Sequence, residues 1–159
     1  MLMAVALILT ACSAERSAAR QAERQRVARQ VEQLIDSHRF SVTATAMRPL
    51  RGGRHTLTQG YGIDLKDDMV TVFLPYVGEV RQATYGTGVS LNFTSPVGNY
   101  QERRTTDRTY IAFTVINQGY KHAVRLEIFN NGKCSIDVDA SHIDPISYEG
   151  YMETAPQGS

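Results

Sequence analysis

Few side chains in this sequence are of types that do chemistry, and their spacing limits what they can do. There are four histidines, His38, His55, His122 and His142, and none sits in an H-x-x-x-H pair suited to a metal. The densest group is the run DVDASHID, which carries Asp137, Asp139, His142 and Asp144. Side chains alternate along a strand, so Asp137 and Asp139 share one face and His142 lies just past the strand end. Two carboxylates and an imidazole can hold a divalent cation. A calcium loop is excluded, because its turn glycine is absent and Tyr148 stands where the closing glutamate is needed. Asp137, Asp139 and His142 are therefore metal candidates in outline only, and a solvated strand face explains them equally well.

Nucleophilic chemistry finds less support. No G-x-S-x-G elbow is present, and Cys134 falls on an inward strand position with no evident base, which suits a small buried apolar residue. The glycine run at 86–88 lies in a connection with no helix after it, so it is not a phosphate cradle. These absences predict no catalytic constellation, no cofactor and a non-enzymatic protein. Aromatic residues are the remaining resource: eight tyrosines and no tryptophan. Tyrosine is apolar on its face and polar at its tip, so rings such as Tyr61, Tyr76 and Tyr148 can line a groove for a ligand, although tyrosine is also a good strand residue.

The one thiol with a clear assignment opens the chain. Residues 1–11 are uncharged and apolar, and as a helix they would span about 16 Å, half a bilayer core, which is too short to cross it. Their length fits the apolar core of a signal peptide. They end in Leu9-Thr10-Ala11-Cys12, which reads as the cleavage site of a bacterial lipoprotein. Cleavage after Ala11 would make Cys12 the acylated first residue, since only a thiol forms the required thioether. No basic residue precedes Arg16, which departs from the usual layout of such signals. Ser13 gives no inner-membrane retention signal, so the expected address is the outer membrane, facing either the periplasm or the exterior. With Cys12 acylated, Cys134 has no disulfide partner.

The net charge of +1, from 17 basic and 16 acidic residues, lacks the basic excess of a nucleic-acid binder. The chain beyond the signal is long enough for one ordinary domain. Residues 13–37 read as one helix, rich in Ala, Arg, Gln and Glu. Residues 12–26 form a polar stalk; from Val27 the residues Val31, Leu34 and Ile35 add a narrow apolar stripe that docks on the body. Arg16, Arg20 and Arg24 share a face, but Glu15 and Glu23 are interleaved with them, so a solvated face is favoured over contact with head groups.

After Arg39 the hydrophobic period changes to two. Strands are expected at 40–46, around Tyr61, Ile63 and Leu65, at 69–74 with Pro75 ending or bulging the run, in VSLNFTS, in TYIAFTVINQGY, at 123–129, at 133–138 and at 146–151. Asn131-Gly132 predicts a hairpin turn with positive φ at both positions. Residues 152–159 are expected to be disordered. The predicted fold is mostly β, of α+β type: an N-terminal helix, then an antiparallel meander of about seven to eight strands, forming a curved sheet or flattened barrel.

The run Leu74-Pro75-Tyr76-Val77-Gly78 resembles one found in a family of small Bacteroidetes lipoproteins known as domain of unknown function 4251. The order of other features agrees: Arg39-Phe40 after the helix, Pro49, Phe93-Thr94-Ser95, Asn130-Asn131-Gly132, and Tyr148-Glu149-Gly150. Together they cover roughly residues 20–151. Val77 stands where an aromatic is more usual, and Cys134 where a small residue is. The resemblance implies an envelope lipoprotein with a mostly β body and supplies no catalytic residues.

These features leave three functional readings. The first is a lipid-anchored envelope protein that binds a partner. The second is a carrier of a small apolar or glycan ligand in a β-sheet pocket. The third is a metal-dependent hydrolase. The carrier needs an unfilled interior, so the packing of Phe40, Val42, Leu74, Phe93, Phe113 and Leu126 against the helix stripe decides it.

Overall fold

The computed structural model describes residues 3–81 and 91–154, with side chains from residue 14 onward. Tyr85, the glycine run at 86–88, residues 155–159 of the expected tail and the Cys12 side chain lie outside the described residues. Among the described residues, one helix, α1 (Met3–Asp36), precedes ten strands: β1 (Arg39–Pro49), β2 (His55–Thr56), β3 (Gly62–Lys66), β4 (Met69–Leu74), β5 (Leu91–Pro96), β6 (Gly98–Arg104), β7 (Arg108–Asn117), β8 (Tyr120–Phe129), β9 (Lys133–Ala140) and β10 (Ile146–Met152). No helix among the described residues is long and apolar enough to cross a membrane.

The strands form one antiparallel sheet in the order β5-β4-β3-β1-β10-β9-β8-β7-β6, with β2 added beside β1. Its two outermost strands, β5 and β6, are neighbours in sequence with only Val97 between them. They behave as one strand bent at Pro96, pairing first with β4 and then with β7. Proline has no N–H to give to a ladder, which suits it to the bend. The Val97 N–H turns aside to the Asp68 carbonyl, 2.8 Å away. The result is a nearly closed barrel.

Inward positions alternate cleanly along most strands. Val70, Val72 and Leu74 of β4 point in while Met69, Thr71 and Phe73 point out. Phe40, Val42, Leu74, Phe113 and Leu126 join Val31 and Ile35 of the helix in one buried apolar cluster, and Phe93 packs against it. These side chains meet in the barrel interior.

The helix closes one end of this barrel. Side chains at 14–26 are exposed; docking begins at Val27 and reaches full burial at Val31 and Ile35, the residues of the expected stripe. His38 ends the helix in the left-handed region (φ 52°), the conformation more often given to glycine at this place. Arg104, at the end of β6, reaches Asp36 (2.5 Å), Glu32 (3.5 Å) and Glu102 (2.5 Å), tying the helix to the rim.

The structure extends the sequence reading in three places. The strands among the described residues number ten, because β2 and β6 join those expected. Met152, placed in the tail by the sequence, belongs to β10 and is buried. The turn at Asn131-Gly132 takes positive φ at Gly132 (84°) but not at Asn131, and Gly132 N–H donates to the Phe129 carbonyl at 2.8 Å. This is a three-residue loop with a glycine bulge. The two-residue turn with both φ positive lies instead at Gln118 (51°) and Gly119 (81°), between β7 and β8.

Candidate functional site

The end of the barrel opposite the helix is closed by two loop segments, 75–81 and 141–145, which meet in an antiparallel bridge at Val80 and Ile143. β4 stops at Leu74, and the next residue, Pro75, offers its carbonyl to the Tyr148 hydroxyl at 2.7 Å. Tyr148, expected to face a ligand, is fully buried, because its place on β10 is an inward one, and its hydroxyl is spent on that carbonyl. Burial pushes its pKa up.

Tyr76 is half-buried and folds back over its own loop. Its hydroxyl accepts from the Asp144 N–H (3.0 Å) and lies 3.1 Å from the Glu79 carbonyl. Asp144 is buried and accepts from the Glu79 N–H (3.3 Å) and from Arg81 (3.0 Å). A Cβ at Gly78 would come within 2.3 Å of the Tyr76 oxygen. Glycine is therefore required here to make room for the ring, not to permit an unusual φ. The Leu74–Gly78 run is a plug assembled from hydrogen bonds.

Beneath the plug lie two buried histidines. The His142 ring stacks on Tyr120 (3.8 Å between centroids, 15°) and meets the His122 ring edge-on at 5.2 Å. His122 Nδ1 lies 3.1 Å from the Tyr120 carbonyl, and Phe93 flanks its ring. Burial lowers the pKa of both, more than the Tyr120 carbonyl raises that of His122. Among the described residues, His122 Nε2 and His142 Nδ1 find no hydrogen-bond partner.

The metal candidates are not brought together. Asp137 faces outward and accepts from Ser147 Oγ at 2.5 Å; Asp139 is exposed; the turn after Ala140 carries His142 inward. No group of three or more His, Cys, Asp or Glu able to hold a metal occurs among the described residues. Cys134 is buried, and desolvation raises its thiol to about 12, which keeps it inert.

Tyr61 leads to a different surface. It lies at the mouth of a hollow of about 320 Å³ on the outer face of β4, β3, β1 and β10. Four positions run side by side across these strands: Phe73, Gly62, Thr43 and Tyr151. Phe73 and Tyr151 are 43% and 45% exposed, large values for such rings. Phe73 stacks on Tyr61 with centroids 5.1 Å apart. Between the walls the floor is bare at Gly62, where a Cβ would meet the Val42 carbonyl oxygen at 2.2 Å. The adjacent row is polar: Ser41 opposite Asp64, and Asp64 opposite Thr71. Glu153 stands at its edge, accepting from Thr43 Oγ1 at 2.7 Å. The arrangement can hold a flat, partly apolar molecule whose rim makes hydrogen bonds. Sequence reasoning counts Tyr151 only as one of eight tyrosines and passes over Phe73, although strict alternation along 69–74 already places Phe73 outward.

Comparison with known proteins agrees with this architecture. The family model described as "Domain of unknown function (DUF4251)" matches residues 22–152. Three solved chains are similar to this one. One is the crystal structure of a DUF4251 family protein from Bacteroides eggerthii DSM 20697, with a TM-score of 0.59 at 11% identity over 79% of this chain and 86% of that one. At that identity the likeness is one of fold. No curated protein matches the sequence.

Proposed function

This chain belongs to the DUF4251 family, and on that premise we propose that it is a lipid-anchored, non-enzymatic binding module of the bacterial outer membrane. The carrying observation is a contrast of surfaces. The described core side chains pack on one another inside the barrel, whereas the outer face bears exposed aromatic walls about a bare floor. A carrier needs an internal pocket; a recognition module needs an external one. The anchor rests on the sequence from Leu9 to Cys12, and the exposed polar helix at 14–26 supports it by giving the body a spacer from the membrane.

The anchor is tested by Cys12→Ala, which should move the protein from the membrane to the soluble fraction and abolish incorporation of labelled palmitate. The binding face is tested by hydroxyl-radical footprinting in intact cells and on the purified protein. Phe73 and Tyr151 should be protected in cells, while Tyr110, on the outer face of β7, is oxidised equally in both. Equal oxidation of Phe73 and Tyr151 in the two settings would remove the assignment of this face.

A further inference from the structure

The composition of the hollow on β4, β3, β1 and β10 narrows what can fill it. Strands lie about 4.8 Å apart, so the walls at Phe73 and Tyr151, three strand steps from each other, are separated by about 14 Å. The Ser41–Asp64–Thr71 row lies two residues along the strands, about 7 Å away. A row walled by two aromatic rings therefore runs beside a row of hydroxyls and a carboxylate, over a floor that admits close approach.

Each class of occupant can be weighed against this pattern. The lining residues include no Lys or Arg, and Asp64 and Glu153 would repel an anion, which argues against phosphates and carboxylates. A hydrocarbon chain would strip water from the exposed Asp64 carboxylate without replacing its hydrogen bonds. Backbone pairing with a peptide is denied, because β3, β1 and β10 are each paired on both sides here. A quaternary ammonium needs rings within about 6 Å on several sides, and these walls stand too far apart to enclose one. A neutral sugar chain satisfies all the constraints. Its C–H faces stack on aromatic rings, and its hydroxyls both donate to carboxylates and accept from Ser and Thr.

We propose that this hollow binds a short neutral oligosaccharide, with one sugar ring on the Tyr61–Phe73 stack, another against Tyr151, and hydroxyls bonded to Asp64, Thr71 and Ser41. The proposal rests on the reading of this outer face as the binding surface. Saturation-transfer NMR on the full-length protein tests it, with cello-, malto-, xylo-, manno- and chitohexaose as probes and choline as the cationic control. Saturation should pass to C–H protons of at least one hexaose. Phe73→Ala and Tyr151→Ala, both at exposed positions, should each weaken binding tenfold or more, while Tyr110→Ala leaves it unchanged.

Transfer to none of the hexaoses, or transfer unaffected by both variants, overturns the saccharide assignment. Transfer to choline alone does the same. If the face is nevertheless protected in cells, the binding surface stands and only the ligand class falls. Release of shorter sugars during the experiment would uphold the saccharide and overturn the non-enzymatic reading.

Discussion

The two ends of the barrel are closed by different physics. At one end an amphipathic helix buries Val31 and Ile35 over the core, and its polar contacts are exposed ion pairs around Arg104. At the other, two loops are stitched by hydrogen bonds among Pro75, Tyr76, Glu79, Asp144 and Tyr148, above a buried pair of histidine rings. The helix end depends on non-directional burial and tolerates polar change. The loop end depends on particular atoms, and one lost oxygen is felt there.

That contrast is most exposed to test at Ile35. Ile35→Ala removes a fully buried side chain from the helix end and should cost about 2–5 kcal/mol in urea unfolding. Next comes Tyr148→Phe, which deletes a single atom and leaves the Pro75 carbonyl without its buried donor. A loss of about 1–3 kcal/mol is expected, and a neutral result would show that the loop end is held by packing as the helix end is.

The third test is acid. His122 and His142 have folded pKa values below the ordinary histidine value near 6.5, so the unfolded chain binds protons more readily than the folded one. Stability from these groups is complete above about pH 6.5 and falls as pH drops toward their folded values, by at most about 1.4 kcal/mol per pH unit for each proton. Asp144 and Arg81, on the segments flanking His142, are paired with each other. His142→Phe, which keeps the stacking on Tyr120, should flatten the pH dependence of the urea midpoint between pH 7 and 5. The smallest effect belongs to Arg104→Ala, expected at about 0–1 kcal/mol because its partners Glu32 and Asp36 are largely exposed. A larger loss would mean that the helix end also depends on specific polar bonds.

The helix end was legible in the sequence because burial there keeps a helical period, and Val27, Val31, Leu34 and Ile35 can be counted off. Strands with one wet face were legible for the same reason. β6 was not: in GNYQERR Tyr100 alone packs against the core, and the strand exists because it continues β5 and pairs with β7. The loop end was illegible in a different way. Tyr76 and Asp144 are 68 positions apart, Pro75 and Tyr148 are 73 apart, and no local pattern announces either bond. Tyr61 stands out as a ring at a strand end, but its partners Phe73 and Tyr151 come from two other strands. A sheet face is a property of lateral register, which periodicity along the chain does not report.

The bent β5–β6 strand also governs the order in which the molecule can assemble. Strands β1 to β5 and strands β6 to β10 are two meanders whose pairings are mostly local, joined through the chain at Val97. Among the strand ladders, β1 with β10 is the one that unites them a second time, and Thr43 and Glu153, which bond across that joint, lie 110 positions apart. Loop-closure entropy makes such a pairing slow, so it is the last seam to form. Until it closes, β1 and β10 are open edges able to pair with another chain. The interval before that seam closes is when newly made copies are most prone to aggregate, and it ends when β10 docks.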